Sequence, residues 1–141
     1  MVEIVNRQRA RKLNRQPWRE FADKALATIT KAERNVTIVF VSDGAIKNLN
    51  RRFRGKNYAT DVLSFPSEAR TFEDQTNLGE VVISVQRAAA QAKEHGLNFS
   101  DETRQLILHG LLHLCGHDHE TDKGEMNRLE LKLRKRLGID A

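Results

Sequence analysis

The chain has 141 residues, 39% of them hydrophobic and 30% charged, and a net charge of +5. That length suits one domain, residues 1–141, with a single core. No apolar run approaches a membrane span, the N-terminus lacks the apolar stretch of a secretory signal, and the one cysteine, Cys115, excludes an internal disulfide, so a cytoplasmic protein is expected.

The positive excess is concentrated early. Residues 1–20 hold Arg7, Arg9, Arg11, Lys12, Arg15 and Arg19 against Glu3 and Glu20, and residues 43–58 hold Lys47, Arg51, Arg52, Arg54 and Lys56 against Asp43. This is a moderate lean toward polyanionic partners.

In chain order, residues 2–5 alternate as a short strand. Trp18, Phe21, Ala22, Ala25, Leu26 and Ile29 recur at helical spacing, with Pro17 near the helix start. Residues 35–41 are β-branched and nearly continuous, which predicts a buried strand. Ser42 or Asp43 caps a helix through Ile46, Leu49 and Phe53, and a loop follows at Arg54-Gly-Lys-Asn. Asp61–Phe65 is a second buried strand closed by Pro66, residues 67–78 form a polar excursion, and Gly79–Ser84 is a further strand. Ser84 caps a helix over 85–95 that Gly96 ends. Ser100, Asp101 and Glu102 open a central helix whose leucines lie almost all round, the pattern of a buried helix. A last helix starts at Glu120 or Thr121 and carries Met126, Leu129, Leu133 and Leu137 on one stripe. The order predicts an α+β fold, a small mixed β-sheet of about four strands packed with helices.

The stretch His109-Gly-Leu-Leu-His-Leu-Cys-Gly-His-Asp-His119 holds four of the five histidines. His109 and His113 are four residues apart and share one helix face, where they can grip one metal ion. Gly116 supplies a left-handed residue to end the helix, and the chain turned back there brings His119 to the same ion. Three imidazoles leave an open fourth position, the layout of a catalytic zinc site. They also suit nickel or copper, but availability favours zinc. His117 can replace one ligand, although an exposed loop histidine is the simpler reading. Asp118 either orients a ligand imidazole or forms the turn.

The spacing matches the zinc-peptidase pattern H-E-x-x-H-x-x-G-x-x-H, with one departure. Gly110 stands where that pattern has the glutamate that serves as general base. Glycine in a buried helix costs up to about 1 kcal/mol relative to alanine, so its presence implies close backbone packing or space for substrate. The basic segment Asn50–Pro66 adds a second constellation. Arg54, at a helix exit, can reach a phosphate with two donors. Asp61 reads as a cap or turn residue, and Ser64 has no base partner in sequence and is not read as a nucleophile.

Three blocks in order resemble the YbeY family of bacterial endoribonucleases, the rRNA maturation factors. The pattern H-G-x-L-H-L-x-G-x-D-H is met by His109, Gly110, Leu112, His113, Leu114, Gly116, Asp118 and His119. The run R-G-K-x-x-x-T-D-V-L-S-F-P is met from Arg54 to Pro66, Leu78–Ser84 carries the third block, and Met126 and Glu130 meet the M-x3-E that follows. The resemblance extends from about residue 35 to Glu130. At His117 the family commonly has tyrosine.

This resemblance implies a zincin-like domain with a metal-binding central helix. It implies a zinc-dependent, single-strand-specific endoribonuclease for 16S rRNA 3′-end maturation and ribosome quality control. His109, His113 and His119 carry over as metal ligands and Arg54 as the catalytic arginine, with small-subunit rRNA and ribosomal proteins as partners and no membrane. Two other classes stand beside it: a metallopeptidase-like hydrolase on the same cradle, and a non-catalytic assembly factor with a structural metal.

Overall fold

A computed structural model describes residues 1–67, 76–117 and 123–139. The elements are β1 (Val2–Asn6), α1 (Arg15–Ile29), β2 (Asn35–Val41), α2 (Asp43–Arg54), β3 (Val62–Pro66), β4 (Asn77–Ser84), α3 (Val85–His95), α4 (Phe99–Leu114) and α5 (Glu125–Arg136). The four strands form one sheet in the order β1-β2-β4-β3. The first three are mutually parallel and β3 pairs antiparallel to β4 at the edge. The expected α+β class with a small mixed sheet is what forms.

Alternation along the strands divides the core between the two sheet faces. Val36, Ile38, Phe40, Val81 and Ile83 face the cluster built with α1 and α4. Val39, Val41, Leu63 and Val82 face the opposite way and pack with Ile46 of α2. The sheet therefore separates α2 from α4, and β3 is the edge over which one face leads to the other. A third cluster joins Leu108 and Leu112 of α4 to Met126, Leu133 and Ile139, which covers the side of α4 turned away from the sheet. Apolar residues surround α4 because it is enclosed on both sides.

Most helix boundaries agree with local chemistry. Ser42 caps α2 by accepting from the Ala45 N–H at 3.3 Å, and Ser84 caps α3 by accepting from Arg87 at 3.1 Å. Asp43, the other candidate for the α2 cap, instead accepts from the Ser84 hydroxyl and pairs with Arg87 at 3.5 Å. Several boundaries differ from expectation, among them β3, which runs over Val62–Pro66 instead of Asp61–Phe65. α1 begins earlier, at Arg15 behind the cap Asn14, and β4 begins at Asn77, inside the stretch read as polar excursion. α4 is capped by Asn98, whose side chain accepts from Asp101 N–H at 2.7 Å, so Ser100 lies inside the first turn. Asn and Ser are equally good N-cap residues, so the residue types alone do not separate Asn98 from Ser100. The start expected for the last helix, Glu120 or Thr121, lies outside the described residues; α5 follows Gly124 with no side-chain cap.

α4 lies close against β4 at Gly110. A Cβ added at Gly110 would stand 2.6 Å from Cγ1 and 3.0 Å from Cγ2 of Val81, and 3.4 Å from Oγ of Ser64. Val81 is fully buried and β-branched, so it has little freedom to yield. Of the two reasons offered for this glycine, close packing is the one observed. Gly110→Ala is expected to lower stability by about 1–3 kcal/mol, overpacking outweighing the gain in helix propensity. Urea unfolding of Gly110→Ala, Val81→Ala and the double variant checks this: the double variant should be less destabilised than the sum of the two, and simple additivity would contradict the contact.

Candidate active site

From Glu102 to Leu114, α4 is almost continuously buried; only Arg104, His109 and His113 interrupt the run as half-buried residues. The two histidines are thus the openings in the second half of an enclosed helix. The helix ends in a Schellman turn: Gly116 takes φ +96°, its N–H donates to His113 C=O at 3.1 Å, and His117 N–H donates to Leu112 C=O at 3.1 Å. This is the left-handed glycine expected after the last helical leucine. His119 and Asp118 lie outside the described residues. Among the described residues, no group of three or more His, Cys, Asp or Glu stands close enough together to hold a metal ion.

α5 brings a carboxylate to the first histidine. Oε1 of Glu130 lies 3.5 Å from Nδ1 of His109 and 3.3 Å from Nη2 of Arg134. Met126 and Glu130 are one turn apart on α5, so the fully buried Met126 fixes the face from which Glu130 reaches His109. These groups border a cavity of about 220 Å³ whose wall includes Asp61, Glu102, Gln105, His109, Glu130 and Arg134. Glu102 is buried and accompanied by Nδ1 of His95 at 2.7 Å.

The electrostatics follow from this geometry. The Glu130 carboxylate raises the pKa of His109 by hydrogen bonding and charge, against the opposing effect of burial, with Asp61 adding to the rise and Arg134 subtracting from it. Burial pushes the Glu130 carboxyl upward, but His109 and Arg134 together outweigh it and hold the group below its ordinary value. A carboxylate on Nδ1 makes Nε2 the lone-pair nitrogen of a neutral His109 ring, the arrangement common around metal-ligating imidazoles.

Arg54 is the last residue of α2, exposed, and outside the lining of the His109 cavity. The arginine that acts on the charge of His109 is Arg134, not Arg54. Asp61 does serve as the turn residue expected, accepting from Val62 N–H at 2.8 Å, but it also borders the His109 cavity. Ser64 directs its hydroxyl to Gly110 C=O at 3.4 Å. Glu130 and Arg134 were not identified as site residues by spacing alone. The only sequence signal for Glu130 was its place four residues after Met126. Burial pushes the Cys115 thiol upward, with Arg34 opposing, so it is not a poised nucleophile.

A pH test of the His109–Glu130 pair follows. The raised His109 pKa contributes stability that is complete below the unfolded value of about 6.5 and is lost as pH rises through the folded value. The lowered Glu130 pKa contributes stability that is present above the unfolded value of about 4.3 and is lost as pH falls through the folded value. With chelator present, the stability difference between the wild type and Glu130→Gln should be largest at about pH 4.3–6.5 and shrink above it. The residue of the difference at higher pH reports the contact with Arg134. Thermal unfolding across pH measures it, and a difference that does not vary with pH would remove the pair.

A family model described as "Endoribonuclease YbeY" matches residues 3–138. A relative named Endoribonuclease YbeY from Nautilia profundicola is 47% identical over 107 residues, covering 76% of this chain and 75% of its own length. Another of that name from Alkaliphilus metalliredigens is 39% identical, with coverage of 89% and 93%. The solution structure of TM1509 from Thermotoga maritima has a TM-score of 0.64 at 29% identity, covering 97% of this chain and 89% of that one. The chain belongs to the YbeY endoribonuclease family.

Proposed function

We propose that this protein is a metal-dependent endoribonuclease that cleaves single-stranded RNA, with zinc as the ion and the 3′ end of 16S rRNA as its maturation substrate. Family membership supports the RNA-cleaving activity. The observation that carries the metal reading is the contact of Glu130 with Nδ1 of His109, on a helix face that His113 shares one turn on. A half-buried imidazole backed by a carboxylate suits a divalent ion better than a solvated or core role. His109 and His113 would hold the ion, with His119 as the third ligand. Nickel or another divalent ion fits the same donor chemistry. Ribosomal contacts, a part in ribosome quality control and a cytoplasmic location belong to the same reading. Among the described residues, no helix is long and apolar enough to cross a membrane.

When bound, the ion supplies Lewis acidity toward a phosphoryl oxygen and toward water. Glu130 accepts from Nδ1 of His109, which would leave Nε2 as the ring nitrogen to hold an ion. Against its burial, His109 and Arg134 together hold the Glu130 carboxyl below its ordinary value. Gly110, pressed against Val81, leaves no space for the glutamate that peptidases of this spacing use as a base. The metallopeptidase-like alternative thus loses its proton carrier. Arg54 presents a two-donor fork to phosphate from the end of α2, where charge on the RNA backbone can be neutralised.

Elemental analysis and cleavage of a defined single-stranded RNA test this reading. His113→Ala should lose metal and cleavage together. Arg54→Ala should keep the metal and lose about 10²-fold or more in rate. Undiminished cleavage by Arg54→Ala would remove its catalytic role, and normal rRNA processing by a folded His109→Ala variant would favour a non-catalytic assembly factor.

A further inference from the structure

The exposed large hydrophobic residues among the described ones are Met1, Phe53, Tyr58 and Leu131, and the two aromatic members fall within one basic segment. Phe53 is 61% exposed and Tyr58 54% exposed. Leaving a large apolar ring in water forgoes about 1.5–3 kcal/mol of burial, so two exposed rings within one short basic segment call for an account. Neither is on a loose stretch of chain. Phe53 meets Phe65 of β3 in a T-shaped contact, with centroids 5.3 Å apart and planes at 71°. The loop carrying Tyr58 is tied down by Asn50, which is 1% exposed: its side-chain amide donates to Tyr58 C=O at 2.9 Å, and its carbonyl accepts from Lys56 N–H at 3.3 Å.

The surrounding charge selects the partner. Lys47, Arg51, Arg52, Arg54 and Lys56 are all exposed. The one acidic residue of the segment, Asp43, is already engaged by Arg87 and the Ser84 hydroxyl. The Arg52 guanidinium lies 5.6 Å from the centroid of the Phe53 ring. Ordered aromatic rings among exposed cations match the physical requirements of single-stranded nucleic acid, whose bases stack while its phosphates pair with the cations. A membrane-surface helix would lay one continuous apolar stripe into the interface, and α2 already uses its stripe, Ile46 and Leu49, against the sheet.

We infer that Phe53 and Tyr58 form a base-stacking platform for the RNA strand, which crosses the β3 edge between this surface and the histidine face of α4. This rests on the endoribonuclease reading and deepens it. The loop that follows Phe53 carries Tyr58 and ends at Asp61, on the rim of the His109 cavity. β3 then shows Phe65 to α2 and Ser64 to Gly110, so one short strand touches both surfaces. Stacking is indifferent to sequence, so the platform would position a strand without choosing its bases.

The test uses a fluorescent, fully 2′-O-methylated oligonucleotide, which cannot undergo attack by its own 2′ oxygens, and a matched strand made abasic throughout. Anisotropy titrations compare wild type, Phe53→Ala and Tyr58→Ala, with thermal unfolding as the check that each variant is folded. Each loss of a ring should weaken binding to the base-containing strand by about five- to tenfold or more and leave the abasic strand unaffected. A Tyr58→Trp variant should bind, and its added emission should be quenched by the base-containing strand alone. Equal weakening on both strands, or none on either, would overturn the platform. Wild-type cleavage of unmodified RNA is assayed in parallel. Cleavage without base-selective loss removes the platform only, whereas base-selective loss without cleavage removes the nuclease reading and leaves the platform.

Discussion

The absence of a side chain at Gly110 is the constraint on which the rest of the site depends. It lets α4 settle onto Val81 and Ser64 at a distance where an added Cβ would stand 2.6 Å from Val81 Cγ1. That depth encloses α4 between the sheet and α5, and enclosure turns His109 and His113 into the gaps in a buried surface. A half-buried imidazole is poorly hydrated and responds strongly to a neighbouring charge. The packing contact and the chemistry of the histidines are therefore one feature seen from two sides of the helix.

The second dependence runs through α5. Met126 and Leu133 anchor it by burial, and between them Glu130 is held against His109 and Arg134. The three-member chain of charge places the carboxylate where a cationic or metal-bearing imidazole needs it. Arg54 stands apart from this chain of charge, exposed at the end of α2 and outside the lining of the His109 cavity.

Periodicity and capping residues revealed most of the fold. The β-branched run of β2, the Ser84 cap and the leucine-rich run of α4 are local signals, and local signals survive into the structure. The Asn98 cap was hidden because an acidic first turn at Asp101 and Glu102 drew attention to Ser100, and both readings satisfy the same helix end. At the site, the i, i+4 pair and the glycine turn were legible because one helix encodes them. The partnership of His109 with Glu130 joins residues on separate helices, and no spacing rule conveys it. The same is true of the edge contact between Phe53 and Phe65.

The cover over Leu108 and Leu112 comes from Met126, Leu133 and Ile139, all later in the chain. During synthesis α4 can lean on the sheet, but its other side stays bare until α5 has followed. Until then a strip of leucines faces solvent, and His109 lacks its carboxylate. A nuclease site that cannot be finished before the last helix arrives stays incomplete while the chain is still emerging, and the same bare strip is the part of the nascent chain most exposed to mis-association.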